Sequence, residues 1–299
     1  MLRSIVRWAT CCLLLAIVTV GSLIRDPATA WADLTVPALS TPVSSPLRFS
    51  LPSRSLIGLS NLDLDRLDGV SRAATAAGGR GDFELAERGW TQIIEEMPEN
   101  AAAWSNRGNI RIGLNQLDAA IDDYTRSIEL APSITDPYIN RGAAYEAQQN
   151  WDAAIADYNE AIAIDDQDPA AYNNRGNAQA RQGDWENALA DYQRAIAIDP
   201  KFSLARLNVA FAQYELGRDE QAIRELRSLV RKYPSFVDAR AALTAAYWQN
   251  GQQGQAESNW VAVNGLDQRY QDIDWVENVR RWPPRLVKGL RAFLDLESP

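Results

Sequence analysis

The sequence predicts an all-α fold, an α-solenoid superhelix of about six helical hairpins with a C-terminal capping helix. Two observations predict it: a motif that recurs every 34 residues, and apolar side chains spaced for helices within each copy. The composition agrees, because 46% of the 299 residues are hydrophobic and 23% are charged, enough for a substantial buried core.

Residues 1–32 are predicted to be a secretory signal. Arg3 and Arg7 form a basic start, residues 8–24 carry no charge, and the Ala-Trp-Ala tripeptide at 30–32 supplies small residues for cleavage. The uncharged stretch also reaches the lower limit of a membrane span, so an uncleaved anchor is the alternative. Both cysteines, Cys11 and Cys12, lie here, so cleavage would leave a chain without thiols.

Residues 33–62 are predicted to be a linker between the export signal and the folded part. The stretch is rich in proline and serine and has little apolar periodicity, which is typical of a spacer. An ordered strap that lies along the fold is the alternative, because Phe49, Leu51 and Leu56 could pack.

The repeat array is predicted to span 67–270. Three central copies share an aromatic residue followed closely by Asn-Arg-Gly, at 104–108, 138–142 and 172–176, and each has Ala-x-x-x-Tyr at a fixed distance further on. The same period continues on both sides. It defines six repeats, numbered here 1 to 6, at 67–100, 101–134, 135–168, 169–202, 203–236 and 237–270.

Each repeat is predicted to be a pair of helices. Counting from its first residue, an aromatic or aliphatic side chain falls at position 4, a small one at 8 and often an apolar one at 11, which makes one stripe of a first helix. A second helix carries alanine at position 20 and an aromatic residue at 24. Small residues at 8 and 20 let the two helices approach closely. In repeat 1, the residues Gly78-Gly79-Arg80-Gly81 are expected to loosen the turn.

This pattern resembles the tetratricopeptide repeat (TPR) family. The residues that carry the resemblance in repeats 2 and 3 are Trp104, Gly108, Ala120, Tyr124, Pro132, Tyr138, Gly142, Tyr145, Ala154 and Tyr158. The resemblance implies a right-handed superhelix whose first helices line a concave groove. Position 7 departs from the family pattern, because it is arginine where leucine is usual.

Residues 271–299 are predicted to form a C-terminal cap. Pro283 and Pro284 are placed to start a helix, and Leu286, Leu290 and Phe293 follow at helical spacing. A docking element is the alternative. This tail, joined to an exported repeat array, resembles thylakoid-lumen TPR proteins of cyanobacteria and plastids.

Asparagines form the candidate binding site. Position 6 is asparagine in four successive repeats, and a helical wheel places positions 2, 6, 9 and 13 opposite the packed stripe. The resemblance implies a groove on that side, with an asparagine ladder holding a peptide backbone by amide donors and acceptors. The predicted peptide-binding residues are Asn106, Asn109, Asn140, Asn173, Asn174, Asn177, Arg181 and Asn208. The alternatives are that asparagine is only a soluble helix residue, or that it bonds within its own hairpin.

Other charged residues are expected to have structural roles. Arg107, Arg141 and Arg175 are expected to pair with acidic residues of a neighbouring helix, and no clamp for a partner's C-terminal carboxylate is predicted. The acidic residues of the second helices are expected to face solvent rather than bind a metal or act as acid and base; they are Asp122, Asp123, Asp157 and Asp191.

Composition restricts the function. The chain has no histidine, which excludes Ser-His and Cys-His catalysis and histidine-ligated metals, and its formal net charge of −9 argues against nucleic acid. Outside the array too few residues remain for a catalytic domain. We therefore expect no enzyme, no cofactor and no metal, and no membrane contact unless the signal segment stays attached.

The predicted function is a non-catalytic scaffold or assembly adaptor that binds an extended peptide segment of a partner protein in its concave groove. The thylakoid-lumen resemblance implies an exported protein, of the lumen or periplasm of a cyanobacterium-like host, whose partner belongs to a photosynthetic complex. A regulatory or oligomerisation subunit of a larger exported or membrane-associated complex is the alternative.

Overall fold

The computed structural model describes residues 61–297, and every regular element in that range is a helix. The predicted signal lies outside the described residues, as do residues 33–60 of the predicted linker and 298–299 of the predicted cap. The described residues fall into two compact units, 61–166 and 167–297. No helix in the described part of the chain is long and apolar enough to cross a bilayer.

The first unit consists of three hairpins in which each helix packs against the next. Its helices are α1 (Asn61–Gly79), α2 (Phe83–Glu96), α3 (Ala101–Gly113), α4 (Leu117–Leu130), α5 (Thr135–Ala147) and α6 (Trp151–Ile164). Side chains cap two of them, because the side-chain oxygens of Asn100 and Asn150 accept hydrogen bonds from the N–H groups of Ala103 and Ala153. These caps satisfy amides that a first helical turn leaves without intrahelical partners.

The second unit contains three further hairpins and a C-terminal extension. Its elements are α7 (Pro169–Arg181), α8 (Trp185–Ile198), α9 (Ser203–Glu215), α10 (Asp219–Lys232), α11 (Val237–Gln249), α12 (Gln253–Leu266), a 3₁₀ turn (Gln268–Gln271), α13 (Ile273–Asn278) and α14 (Pro284–Glu297). The start of α14 at Pro284 agrees with the position expected from the two prolines.

The turn inside each hairpin repeats its backbone geometry. Position 15 of every repeat has a positive φ, between 59° and 83°; the residues are Gly81, Asn115, Gln149, Gly183, Gly217 and Gly251. The expectation that glycines loosen the first turn is therefore wrong. Gly81 supplies the same left-handed residue as its counterparts, and Gly78 and Gly79 belong to the end of α1.

Small residues at position 8 allow the close approach that the sequence predicts. A Cβ atom added to Gly108 would lie 2.7 Å from Cε1 of Tyr124, and the pairs Gly142–Tyr158 and Gly176–Tyr192 show the same 2.7 Å separation. The tyrosine at position 24 therefore packs flat against the glycine of the first helix. The predicted all-α architecture of consecutive hairpins is confirmed.

The C-terminal extension joins the core of the second unit. Helix α14 packs against α11 and α9, and the ring of Phe293 meets the rings of Trp248 and Trp260 edge-on at 5.3 and 5.4 Å between centroids. Tyr270 and Trp282 are 2% and 3% exposed in the same apolar cluster. The predicted capping helix is thus present and packs mainly on α11, the first helix of the last hairpin.

Candidate peptide-binding surface

The arginine at position 7 pairs with an aspartate at position 23 inside the same hairpin in repeats 2 to 4. The guanidinium nitrogens and carboxylate oxygens lie 2.7–2.9 Å apart in each pair, with two parallel hydrogen bonds; the pairs are Arg107–Asp123, Arg141–Asp157 and Arg175–Asp191. The expectation that these arginines pair within the array is confirmed, because each meets a carboxylate of the adjacent second helix. Two-point contact fixes the geometry of both side chains.

The expectation that the acidic residues of the second helices face solvent is wrong for three of them. Asp123, Asp157 and Asp191 are 1%, 5% and 6% exposed, whereas Asp122 is exposed as expected. Position 23 faces the first helix of its own hairpin, where arginine at position 7 supplies a counter-charge. Burial raises the pKa of the Asp123 carboxyl, and the hydrogen bond from Arg107 acts in the opposite direction.

Two of these arginines also link successive hairpins of the first unit. Nη1 of Arg107 donates to the hydroxyl of Thr91 at 3.2 Å, and Nη1 of Arg141 donates to the hydroxyl of Thr125 at 2.9 Å. Both threonines occupy position 25 of the preceding repeat. The position-7 guanidinium therefore fills the junction between one repeat and the next, and its charge is neutralised there. Across residues 61–297, no group of acidic side chains is arranged to hold a metal ion.

In the first unit, the asparagines join a hydrogen-bond network with a tyrosine. The hydroxyl of Tyr124 donates to Oδ1 of Asn109 at 2.8 Å, and Nδ2 of Asn140 donates to the same oxygen at 3.1 Å. A position-9 asparagine thus connects the tyrosine of its own repeat to the position-6 asparagine of the next one. The amide suits this role because it both donates and accepts.

The second unit repeats the arrangement. The hydroxyl of Tyr192 donates to Oδ1 of Asn177 at 2.9 Å, and Nδ2 of Asn208 donates to Oδ1 of Asn177 and Asn173 at 3.1 and 3.0 Å. We call the asparagines of both units, with Asn106 and Asn174, the asparagine network.

The expectation that position 6 lines an open surface is wrong for Asn106, Asn140 and Asn174, which are 2%, 2% and 0% exposed. Asn173 is also buried, at 1%, whereas Asn208 is half-buried. The physical reason is that a first helix packs against its own second helix and also faces neighbouring repeats, so the buried arc is wider than the apolar stripe. Peptide binding by these asparagines stays a prediction.

Arg181 contacts main chain on the expected side of the first helices. It is exposed at the end of α7, and its Nη2 donates to the carbonyl oxygen of Arg281 at 2.7 Å. The equivalent position-13 residues of the next two repeats, Glu215 and Gln249, bind the same tail. The N–H of Arg285 donates to Oε1 of Glu215 at 2.8 Å, and Nε2 of Gln249 donates to the carbonyl of Arg285 at 3.0 Å.

Side-chain contacts anchor this segment, residues 280–289, which we call the tail segment. The ring of Trp282 meets Phe211 edge-on at 5.5 Å, and the guanidinium of Arg285 lies 4.5 Å from the ring centroid of Tyr214 and pairs with Asp219 at 3.0 Å. Burial raises the pKa of Tyr214 to about 12, although the charge of Arg285 acts to lower it. The position-13 surface of α7, α9 and α11 is therefore occupied by the protein's own chain.

Asp238 is a residue that the sequence analysis missed. It is 6% exposed at position 2 of repeat 6, and its carboxylate accepts hydrogen bonds from Tyr270, Arg280 and the indole N–H of Trp282. Burial lowers the pKa of the Arg280 guanidinium, whereas the neighbouring carboxylate of Asp238 raises it. The pKa is raised overall. Asp238 is the only acidic residue of this alanine-rich first helix, and an Arg-Arg-Trp sequence follows at 280–282; together they are the signal that could have identified it.

Comparison with known proteins agrees with the repeat pattern. A tetratricopeptide repeat model matches residues 101–134 and 169–202, a TPR repeat model matches 147–183, and a further tetratricopeptide repeat model matches 204–235. No curated protein sequence is significantly similar to the chain.

Solved structures share the fold. A tetratricopeptide repeat protein from Parabacteroides merdae ATCC 43184 is 17% identical, with a TM-score of 0.60, over 77% of this chain and 99% of that one. MamA is 21% identical, with a TM-score of 0.51, over 56% and 92% of the two chains. YrrB, described as a TPR protein with an unusual peptide-binding site, is 20% identical, with a TM-score of 0.50, over 60% and 92%. At these identities the likeness concerns the fold alone.

Proposed function

We propose that this protein, in which residues 101–134 and 169–202 match a tetratricopeptide repeat model, is a non-catalytic scaffold that binds a peptide segment of a partner protein on its first helices. The observation that carries the proposal is the tail segment. Three position-13 side chains bind its main-chain atoms; they are Arg181, Glu215 and Gln249. A surface that bonds main-chain groups can accept segments of different sequence, because every residue presents a carbonyl.

The asparagine network contributes to the same proposal within each unit. Its half-buried members, Asn109, Asn177 and Asn208, keep part of their surface open. Its buried members are Asn106, Asn140, Asn173 and Asn174, and hydrogen bonds of Asn140 and Asn173 link neighbouring first helices of the same unit. We infer that a partner segment bonds the half-buried amides of a unit and, in the second unit, also Arg181, where it takes the place of the tail segment. YrrB, a TPR protein with an unusual peptide-binding site, supports peptide recognition on this fold.

The compartment and partner are the finer part of the proposal. The basic start, uncharged stretch and Ala-Trp-Ala site of residues 1–32 support export to a thylakoid lumen or periplasm. The partner we propose there is a subunit or assembly factor of a photosynthetic complex. Fractionation of the host, with the mass of the mature chain measured, tests the export step independently of binding.

Site-specific photo-crosslinking tests the binding surface. A photoreactive residue is placed at Ala147 or Arg181, both at position 13, and as matched controls at Glu129 or Gln193, which are exposed on second helices. We expect partner crosslinks from the position-13 sites and none from the controls. The same partners at all four sites would overturn the proposed surface.

A combined change of Asn106, Asn140, Asn174 and Asn208 to alanine tests the network. We expect it to abolish the position-13 crosslinks, but buried asparagines also stabilise the fold. Leu226→Ala, at a fully buried site of α10, is the matched control for a general loss of stability. Equal loss of crosslinking in both variants would contradict a specific role for the asparagines.

A second candidate function is oligomerisation within a larger complex. Two apolar side chains of α12 are exposed, Val261 at 75% and Leu266 at 49%, and burial of either against a second copy would favour self-association. Light scattering of the mature chain and of Val261→Glu distinguishes the two. A dimer that dissociates in the variant supports oligomerisation, whereas a monomer in both supports a scaffold that acts singly.

A further inference from the structure

A second candidate surface lies elsewhere in the second unit, between α10 and α11. There an open cavity of about 510 Å³ is lined by Arg224, Arg227, Ser228, Val230, Arg231 and Leu243. We call it the arginine cavity. The chain as a whole has a formal net charge of −9, so three arginine residues lining one cavity are a local reversal of the prevailing charge.

The repeat register explains why a cavity exists at this junction. In the first unit, the arginine at position 7 extends to the threonine at position 25 of the preceding repeat, as Arg141 does to Thr125. At the junction of repeats 5 and 6, position 7 is Leu243 and position 25 is Arg227. The positive charge has moved to the second helix, and the buried leucine, 2% exposed, is too short to fill the space of a guanidinium.

Within residues 61–297, this junction also lacks the counter-charge that the earlier repeats have. Each position-7 arginine of repeats 2 to 4 meets an aspartate at position 23, but the residue at position 23 of repeat 6 is the neutral Asn259. Arg224 lies 3.6 Å from Glu220, a pair whose side chains are 64% and 93% exposed and which contributes little. Within residues 61–297, neither Arg227 nor Arg231 forms an ion pair.

We propose that the arginine cavity is a second binding site, which takes an acidic segment of a partner protein. Carboxylates of that segment pair with Arg227 and Arg231, and an apolar side chain between them packs on Val230 and Leu243. Charge complementarity argues for this occupant, because planar guanidinium groups bind carboxylates by two parallel hydrogen bonds. The concave shape favours side chains over a flat anionic bilayer, which the net negative charge of the chain also repels.

The site is independent of the surface that holds the tail segment, because it uses the second helix α10 rather than position 13 of the first helices. A test that contradicts one of the two proposed binding sites therefore does not contradict the other. A segment that binds the arginine cavity would have alternating acidic and apolar residues. The position-13 surface bonds main-chain atoms, so it does not require a charged segment.

Fluorescence anisotropy with a labelled ten-residue peptide of alternating Glu and Leu tests the proposal on the full chain. The peptide with Gln in place of every Glu is its uncharged control. The test variant is Arg227→Glu/Arg231→Glu. The matched control, Arg88→Glu/Lys201→Glu, makes the same change of net charge at exposed positions on other elements. A milder variant, Arg227→Gln/Arg231→Gln, removes the charges without introducing repulsion.

We expect the Glu-Leu peptide to bind the unmodified chain, to bind the charge-reversed variant at least about tenfold more weakly, and to bind the control variant unchanged. The glutamine variant should bind the Glu-Leu peptide several-fold more weakly than the unmodified chain does, and added salt should weaken binding to the unmodified chain. Circular dichroism melting confirms that each variant is folded. If the charge-reversed variant does not fold, the peptide affinity of the glutamine variant decides whether the arginines bind the peptide.

Three results would overturn the proposal. An equal loss in Arg88→Glu/Lys201→Glu would assign binding to overall charge, and equal affinity for the Gln-Leu peptide would assign it to apolar contact alone. Binding of phosphatidylglycerol vesicles that is lost in the charge-reversed variant, with no binding of the acidic peptide, would make the cavity a lipid headgroup site.

Discussion

Repeats 2 to 4 bury charged pairs between their two helices, whereas repeats 5 and 6 bury mostly apolar side chains at the equivalent positions. Position 7 is arginine paired with a buried aspartate in the first group, but Val209 and Leu243 in the second, at 6% and 2% exposure. The same hairpin is therefore built with two chemistries. In repeats 2 to 4, directional hydrogen bonds between charged side chains fix the two helices relative to each other. In repeats 5 and 6, burial of apolar surface and close packing hold them together.

The difference continues at the surface of the first helices. Where the core is apolar, the tail segment and the preceding 3₁₀ turn add the polar contacts. Asp238 accepts hydrogen bonds from Tyr270, Arg280 and Trp282, and Glu215 accepts one from the first turn of α14. Arginine–aspartate pairs at positions 7 and 23 thus lie inside the hairpins of repeats 2 to 4, whereas in repeat 6 the buried carboxylate of Asp238 faces the tail. Each of the following changes tests this division, from the largest expected effect to the smallest.

Trp282→Ala should cause the largest loss, because it removes a side chain that is 3% exposed and packs on Phe211 and Tyr270. Truncating a buried tryptophan costs about 3–5 kcal/mol. Urea unfolding followed by circular dichroism measures it. Val261→Ala, at a side chain 75% exposed, is the control and should change stability by less than about 0.5 kcal/mol. Equal effects of the two changes would show that the tail does not belong to the core.

Asp157→Ala should destabilise the third repeat by about 3 kcal/mol or more, because it leaves the guanidinium of Arg141 without its buried partner. A more specific variant replaces the charged pair of repeat 3 by the residues found at the same positions of repeat 6. Arg141→Leu/Asp157→Asn copies the residues found there as Leu243 and Asn259, and should recover most of the loss because no unpaired charge remains. A double variant as unstable as Asp157→Ala would contradict the equivalence of the two chemistries.

Gly142→Ala should destabilise by about 1–3 kcal/mol through overpacking, because its Cβ would lie 2.7 Å from the ring of Tyr158. Gly69→Ala is the matched control in the middle of α1, where a Cβ meets nothing within 4 Å. There the helix should gain about 0.5–1 kcal/mol from the better helix former. Chemical denaturation of the two variants should therefore give shifts of opposite sign.

Gln149→Gly should stabilise by about 0.5–1 kcal/mol, the smallest effect. Its φ of 61° costs a non-glycine residue about 1–2 kcal/mol, part of which the extra freedom of glycine in the unfolded chain offsets. The reciprocal change, Gly183→Gln at the same repeat position, should lose a similar amount. No gain in the first variant, with no loss in the second, would show that the turn carries no strain.

The sequence was sufficient to predict the hairpins, because a 34-residue period, the glycine at position 8 and the tyrosine at position 24 are local features that recur. The burial of Asn140 and Asp157 was not predictable from one apolar stripe. Their partners, Asn109 and Arg141, lie on other helices, and a helical wheel describes only one helix. Polar residues at these positions are buried because partners meet them, and those partners are known only once the repeats are stacked.

The position of the tail segment on the first helices is the feature that the sequence predicts least well. Pro284 predicts where α14 begins, but Arg181 and Arg281 are a hundred residues apart in sequence. Their contact depends on how the intervening hairpins stack. The shared register of Arg181, Glu215 and Gln249 at position 13 marks the surface, and nothing local identifies what occupies it.

Hydrogen–deuterium exchange at the amide of Arg285 tests most directly whether the first helices bind main chain. This N–H donates to the carboxylate of Glu215 at 2.8 Å, so we predict slow exchange in the unmodified protein. In Glu215→Ala, exchange at Arg285 should be at least about tenfold faster, in keeping with the loss of a charge-assisted hydrogen bond, while amides of α3 stay unchanged. Fast exchange at Arg285 in the unmodified protein would contradict the account.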